Sequence, residues 1–133
     1  MPMIFVNLPV RDLVASRAFY TALGFSINEF SSDDRTVSVV VDDTIVVALH
    51  TRDRFAELVA GEVGDPAQAT SVVTTLTLDS PVEVDHLAAK ATAAGARPWL
   101  PPLDDDAAYA RSFADPDGNA WQVVHLSARH VID

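Results

Sequence analysis

The chain contains no cysteine, so neither disulfides nor thiolate chemistry carries its structure or function. That fits a reducing compartment. No apolar run approaches the roughly 20 residues that a membrane span requires. Met1-Pro2-Met3-Ile4 leads straight into a strand-like stretch, without the basic and apolar regions of a secretory leader. A cytoplasmic protein without membrane contact is expected. Positive charge is also scarce: 9 Lys and Arg stand against 19 Asp and Glu, a formal charge of −10. Phosphate backbones are held by basic surface, so nucleic acid is not an expected partner. The acidity reads either as a solvated surface that aids solubility or as an attraction for a cationic ligand. Neither a glycine-rich phosphate loop nor a nucleophile elbow is present.

What is there is a pattern that occurs twice. At 133 residues the chain is one domain, or two half-domains sharing a core. Ile4 to Val10 reads as a strand, with residues 4, 6 and 8 on one face and 5, 7 and 9 on the other. Asp12 is a good N-cap for a helix that runs to Leu23, where Gly24 stops it. Phe19 and Leu23, with Leu13 and Tyr20, give that helix a buried stripe. Three strands follow: Phe25 to Phe30, Thr36 to Val41 and, after a tight turn at Asp42-Asp43, Thr44 to His50. A short helix over Arg52 to Ala60 carries Phe55, Leu58 and Val59 at i, i+3, i+4. Residues 61–70 have linker composition.

The pattern then restarts with a strand from Ser71 to Leu78. Ser80-Pro81-Val82-Glu83 is a capping box with proline at the first helical position. Val84, Leu87, Ala88 and Ala91 form the helix stripe and Gly95 the stop. A strand edge at Arg97 to Leu100 and a loop through Pro101-Pro102 and Asp104-Asp105-Asp106 lead to the closing hairpin. There Asp115-Pro116-Asp117-Gly118-Asn119 supplies the turn, in a loop of four or five residues. The fold class is therefore α+β, from two βαβββ units. Unit one spans 3–50, a linking helix and loop 51–70, unit two 71–126 and a tail 127–133.

Phe5-Val6-Asn7-Leu8-Pro9-Val10-Arg11-Asp12-Leu13 with Ala18-Phe19-Tyr20-Thr21-Ala22-Leu23-Gly24-Phe25 resembles the opening of the vicinal oxygen chelate superfamily. Arg111-Ser112-Phe113 and Asp115-Pro116-Asp117-Gly118-Asn119 resemble its closing hairpin. This group includes glyoxalase I, extradiol dioxygenases and bleomycin-resistance proteins. The resemblance covers about residues 3 to 126. It implies two curled mixed sheets around a cavity, and a homodimer. Fold alone does not supply function.

In metal-dependent members, four inward side chains, typically His or Gln and Glu, bind the ion. Carried onto this chain, the resemblance places those positions at Phe5, Ala48, Val73 and Gln122. Three are apolar and none is charged, whereas a divalent ion needs several N or O donors. A slip of two residues keeps the same face and gives Asn7, His50, Thr75 and Gln122 or Val124, of which only His50 is a good transition-metal ligand. No metal and no other cofactor is therefore expected.

Each candidate has a plainer reading beside the functional one. Asn7 shares a side with Phe5 and either contacts ligand or pairs with backbone. His50 is a general base, a ligand contact or a strand-end surface histidine. Gln122 faces ligand if Trp121 and Val123 take the helix-covered face. Tyr109 and Arg111, on one face with Phe113, either clamp an anionic or aromatic group or form a snorkelling arginine paired with an acid. Thr75 and Thr77 line the cavity, and Trp99 is a lip or a dimer contact. His86 and His130 read as solvent-side and His125 as turned away from Gln122. The expected function is binding of a small organic molecule, cationic or aromatic, in a metal-free cavity. The alternatives are a metal-dependent glyoxalase-like lyase or dioxygenase, and a metal-free isomerase or lyase using His50.

Overall fold

The computed structural model describes residues 1–127. The expected tail beyond Ser127, with His130, lies outside the described residues. The chain divides into two compact units, Met1–Asp65 and a second that begins at Pro66. The break falls inside the expected linker. The short linking helix belongs to unit one, where it packs against the first and last strands.

Unit one is built from β1 (Ile4–Val10), α1 (Leu13–Ala22), β2 (Ser26–Asn28), a 3-10 turn (Glu29–Ser31), β3 (Thr36–Asp42), β4 (Ile45–Thr51) and α2 (Arg52–Ala56). The sheet order is β1-β4-β3-β2, with β1 parallel to β4 and the other pairs antiparallel. Asp12 caps α1 by accepting from the Ala15 amide at 3.1 Å. Side chains alternate across a sheet, so Val37, Val39, Val47 and Leu49 share an apolar face. α1 covers that face through Phe19, Tyr20 and Leu23, all buried. Removing each such side chain from water contributes about 1.5–3 kcal/mol.

Unit two repeats the plan with β5 (Val73–Thr77), α3 (Pro81–Ala93), β6 (Arg97–Pro98), β7 (Leu103–Asp104), β8 (Ala108–Ala114) and β9 (Ala120–Leu126). The order is β5-β9-β8-β6, with β7 also on β8 and β5 parallel to β9. The capping box closes α3: the Glu83 amide donates to Ser80 Oγ at 3.2 Å, and Glu83 Oε2 accepts from the Asp79 amide at 2.9 Å. α3 buries Val84, Leu87 and Ala91 against Phe113, Trp121 and Val123. Phe113 and Trp121 are directly opposite across β8 and β9 and stack with centroids 6.4 Å apart.

Five expectations are corrected in detail. The turn between β3 and β4 lies at Asp43-Thr44, one residue later than expected. The second strand ends at Asn28, whose side chain accepts from the Phe30 amide and starts the 3-10 turn instead. The linking helix ends at Ala56, because the Glu57 and Leu58 amides bond three residues back. Leu58 is left 44% exposed rather than in a stripe. The strand edge at Arg97 is only two residues long, since Pro98 removes a ladder donor. Part of the expected Pro101–Asp106 loop is strand β7.

The closing hairpin has a five-residue loop, Asp115–Asn119. Asp115 is buried at 1% exposure and organises it: Oδ1 accepts from the Asp117 and Asn119 amides at 2.9 and 2.8 Å, and Oδ2 from Asn119 Nδ2 at 3.0 Å. Gly118 has φ of 95°, and a Cβ there would sit 2.7 Å from the Ala67 Cα and N. The start of unit two is thus pressed onto this turn. Among the described residues no helix is long and apolar enough to cross a membrane.

Gly118→Ala combines a left-handed φ with a backbone clash and is expected to destabilise the protein by well over ~1 kcal/mol. Gly95 has φ of 104° but open space, so Gly95→Ala should cost about 1 kcal/mol. Gly61→Ala, in open space without positive φ, should be neutral. Urea unfolding midpoints in that order check the argument; a neutral Gly118→Ala contradicts it.

Candidate functional site

The register of unit one fixes which side chains share the face turned away from α1. Phe5 pairs with Val46, Asn7 with Ala48 and Pro9 with His50. Across the next ladder Val40 pairs with Val46, Ser38 with Ala48 and Thr36 with His50. Paired residues point the same way, so Phe5, Asn7, Ala48 and His50 do come to one face. The structure adds Thr36 and Ser38 to them. Phe5 is 54% exposed and Asn7 exposed, whereas His50 is only 5% exposed.

His50 is held from both sides. Its Nε2 lies 2.8 Å from Asn7 Oδ1 and its Nδ1 lies 2.8 Å from Thr36 Oγ1. The Phe55 ring of α2 stands 6.3 Å away, tilted 54°. Burial and the neighbouring Arg54 hold the imidazole below its ordinary value of 6.5, with Asp33 opposing them. The neutral ring then has one N–H and one lone pair. With the acceptor Asn7 Oδ1 turned toward Nε2, the matching assignment is a proton on Nε2 and a hydrogen bond from the Thr36 hydroxyl to Nδ1. Both ring nitrogens are therefore engaged within the protein. The strand-end surface reading of His50 does not hold, because the side chain is buried.

The residues that position this trio are local. Asp33 Oδ1 accepts from the Arg35 and Thr36 amides at 2.8 and 2.9 Å and so sets the start of β3. The Thr51 amide donates to Arg35 O, and Thr51 Oγ1 caps α2. Glu57 accepts from both Arg35 and Arg54. Those bonds hold its carboxyl below the usual range.

In unit two, Val73 pairs with Ala120, Thr75 with Gln122 and Ser112 with Gln122. Val73, Thr75, Ser112 and Gln122 thus share the face turned away from α3, and Thr75 Oγ1 donates to Gln122 Oε1 at 3.2 Å. Trp121 and Val123 are buried on the opposite face. His125 is turned to that opposite side too, its Nδ1 3.0 Å from Leu78 O.

Tyr109 and Arg111 do not join this set. They pair with His125 and Val123, which puts them on the α3 side. Tyr109 Oη donates to Asp85 of α3 at 2.7 Å, and Arg111 Nη2 donates to Tyr109 Oη at 2.7 Å. The guanidinium lies over the Tyr109 ring and against Asp85. Hydrogen bonding to Asp85 raises the Tyr109 phenol above its ordinary value. The ligand-clamp reading is corrected: this arginine is paired with an acid, as the plainer reading had it.

Thr36 and Ser38 were missed. Their signal is the alternation Thr36-Val37-Ser38-Val39, which marks one side of β3 as polar; the register with β4 turns that side toward His50.

The chain belongs to the glyoxalase/bleomycin resistance protein/dioxygenase superfamily, whose family model matches residues 3–123. Solved structures share the fold. A hypothetical protein from S. aureus has a TM-score of 0.78 at 26% identity, over 94% of each chain. A glyoxalase/bleomycin resistance protein/dioxygenase family enzyme from Burkholderia phytofirmans PsJN has a TM-score of 0.77 at 21% identity, over 96% of this chain and 100% of that one. The fosfomycin resistance protein FosX from Mesorhizobium loti has a TM-score of 0.71 at 14% identity, over 98% and 97%. At such identities the last two show the fold alone. No curated protein matches the chain.

The residues present do not fit the metal that this superfamily often uses. Phe5, Ala48 and Val73 offer no donor atom, and Gln122 Oε1 already accepts from Thr75. Among the described residues no group of three or more His, Asp or Glu is placed to hold an ion.

His50 also gives a pH prediction. Its folded value is depressed, so as pH falls through about 6.5 the unfolded chain takes up a proton that the folded chain refuses, and stability drops. Above that window His50 contributes no pH dependence. His50→Gln should cost about 1–3 kcal/mol at pH near 8, by leaving Asn7 or Thr36 short of a partner. It should also show a smaller loss of melting temperature on acidification to about pH 5.5 than the parent. Equal losses in both proteins contradict the assignment.

Proposed function

We propose that the protein binds a small organic molecule, without a metal ion, on the face of the unit-one sheet turned away from α1. The observation that carries this reading is the chemistry of the donor set. Where an ion would need lone pairs, this face supplies Phe5 and Ala48, and the imidazole beside them has both nitrogens engaged by Asn7 and Thr36. Apolar side chains with a few placed polar groups are what a small-molecule site requires.

Of the two ligand types expected from the sequence, the aromatic one has local support in the exposed Phe5 ring. The charges acting on His50 are one of each sign, Arg54 and Asp33. A general-base role for His50 has less support, because no ring nitrogen is left to take a substrate proton. The homodimer and cytoplasmic setting expected from the sequence belong to the same proposal.

Thermal-shift screening in chelator against glycopeptide drugs and aromatic metabolites tests it. A ligand present at about 100 times its Kd should add about 2.7 kcal/mol of stability, and Phe5→Ala should reduce that gain. Stabilisation or turnover that appears only on adding a divalent ion would contradict the reading.

A further inference from the structure

We propose that Asn7 recognises its ligand through an acceptor oxygen, a carbonyl or carboxylate, using an amide NH2 that His50 and Thr36 turn outward. The proposal rests on the binding reading above and names the chemistry of its polar contact. The structure turns Oδ1 of Asn7, and not its NH2, toward the ring. Oδ1 of Asn7 is engaged at 2.8 Å by His50 Nε2, and the imidazole is kept in that tautomer by the Thr36 hydroxyl at Nδ1. What Asn7 has left to offer is two N–H donors, on an exposed side chain that shares its face with the exposed Phe5 ring.

Unit two repeats the arrangement with different residues. Gln122 Oε1 accepts from Thr75 Oγ1 at 3.2 Å, so its NH2 is likewise the group it has to offer. A primary amide whose oxygen is engaged inside the protein discriminates against ligands that also bring only donors, since two opposed N–H groups cannot bond. The favoured ligand therefore has an apolar or aromatic body and an acceptor oxygen. His50 and Thr36 are positioning residues in this account, acting through Asn7.

The test uses the full 15N-labelled chain with three matched fragments, benzoate, benzamide and benzylamine. Benzoate and benzamide should move the side-chain NH2 signals of Asn7, and Asn7→Asp should weaken benzoate about 10-fold or more without weakening benzylamine. Long-range nitrogen spectra should show the Nε2–H tautomer of His50. Thr36→Val should shift that tautomer balance and lower benzoate affinity, and Thr36→Ser should restore both. A dominant Nδ1–H tautomer overturns the proposal, because the Asn7 oxygen would then face outward. Fragments that perturb Phe5 and Ala48 but leave the Asn7 NH2 untouched also overturn it, while leaving the binding reading intact. If no fragment perturbs this face at any accessible concentration, the binding reading fails and the proposal fails with it.

Discussion

A neutral imidazole buried at the end of a strand must satisfy one donor and one acceptor, and the candidate site of this protein depends on how His50 does so. In water either nitrogen finds a partner. At 5% exposure the partners have to be built in. Asn7 comes from the parallel neighbour β1 and Thr36 from the antiparallel neighbour β3, so the ring ties three strands together on one face. Burial and Arg54 push its pKa below the ordinary value, with Asp33 opposing them, which favours the uncharged ring. The same two bonds occupy both ring nitrogens within the protein.

The fold makes this arrangement available through alternation alone. In each unit an amphipathic helix takes the apolar face of a mixed sheet, and the polar residues fall on the other. Unit one places Asn7, Thr36, Ser38 and His50 there; unit two places Thr75, Ser112 and Gln122. The largest fully buried side chains lie between helix and sheet: Tyr20 of α1, Leu49 of β4 and Trp121 of β9. Polar residues on the helix side are paired too: Tyr109 and Arg111 with Asp85 of α3, and His125 with Leu78 O.

Most of the architecture was legible in the sequence, because caps, glycine stops and periodicity are local signals. Ser80 to Glu83, Asp12, Gly24 and Gly95 all act where their chemistry says they should. The site was legible only as far as strand parity was. A tight turn at Asp42-Asp43 would pair His50 with Arg35 and put Thr36 on the other face. The chain instead turns at Asp43-Thr44 and inserts a bulge between Val40 and Asp42, which brings Thr36 opposite His50. No residue pattern announced that bulge. Loop length decided the second case. A four-residue loop before Ala120 would leave Arg111 on the Gln122 face, whereas the actual five-residue loop pairs Ser112 with Gln122. Asp115 selects the longer loop by accepting from Asp117 and Asn119.

Membership of a superfamily known for metal chemistry makes the donor set the point on which this account stands or falls. Elemental analysis of protein purified without chelator, followed by titration with Zn2+ and Ni2+ under nitrogen-detected NMR, addresses it directly. The account predicts no ion at stoichiometric occupancy and an imidazole signal of His50 that does not move. One ion per chain, with the His50 nitrogens shifted on binding, would contradict it.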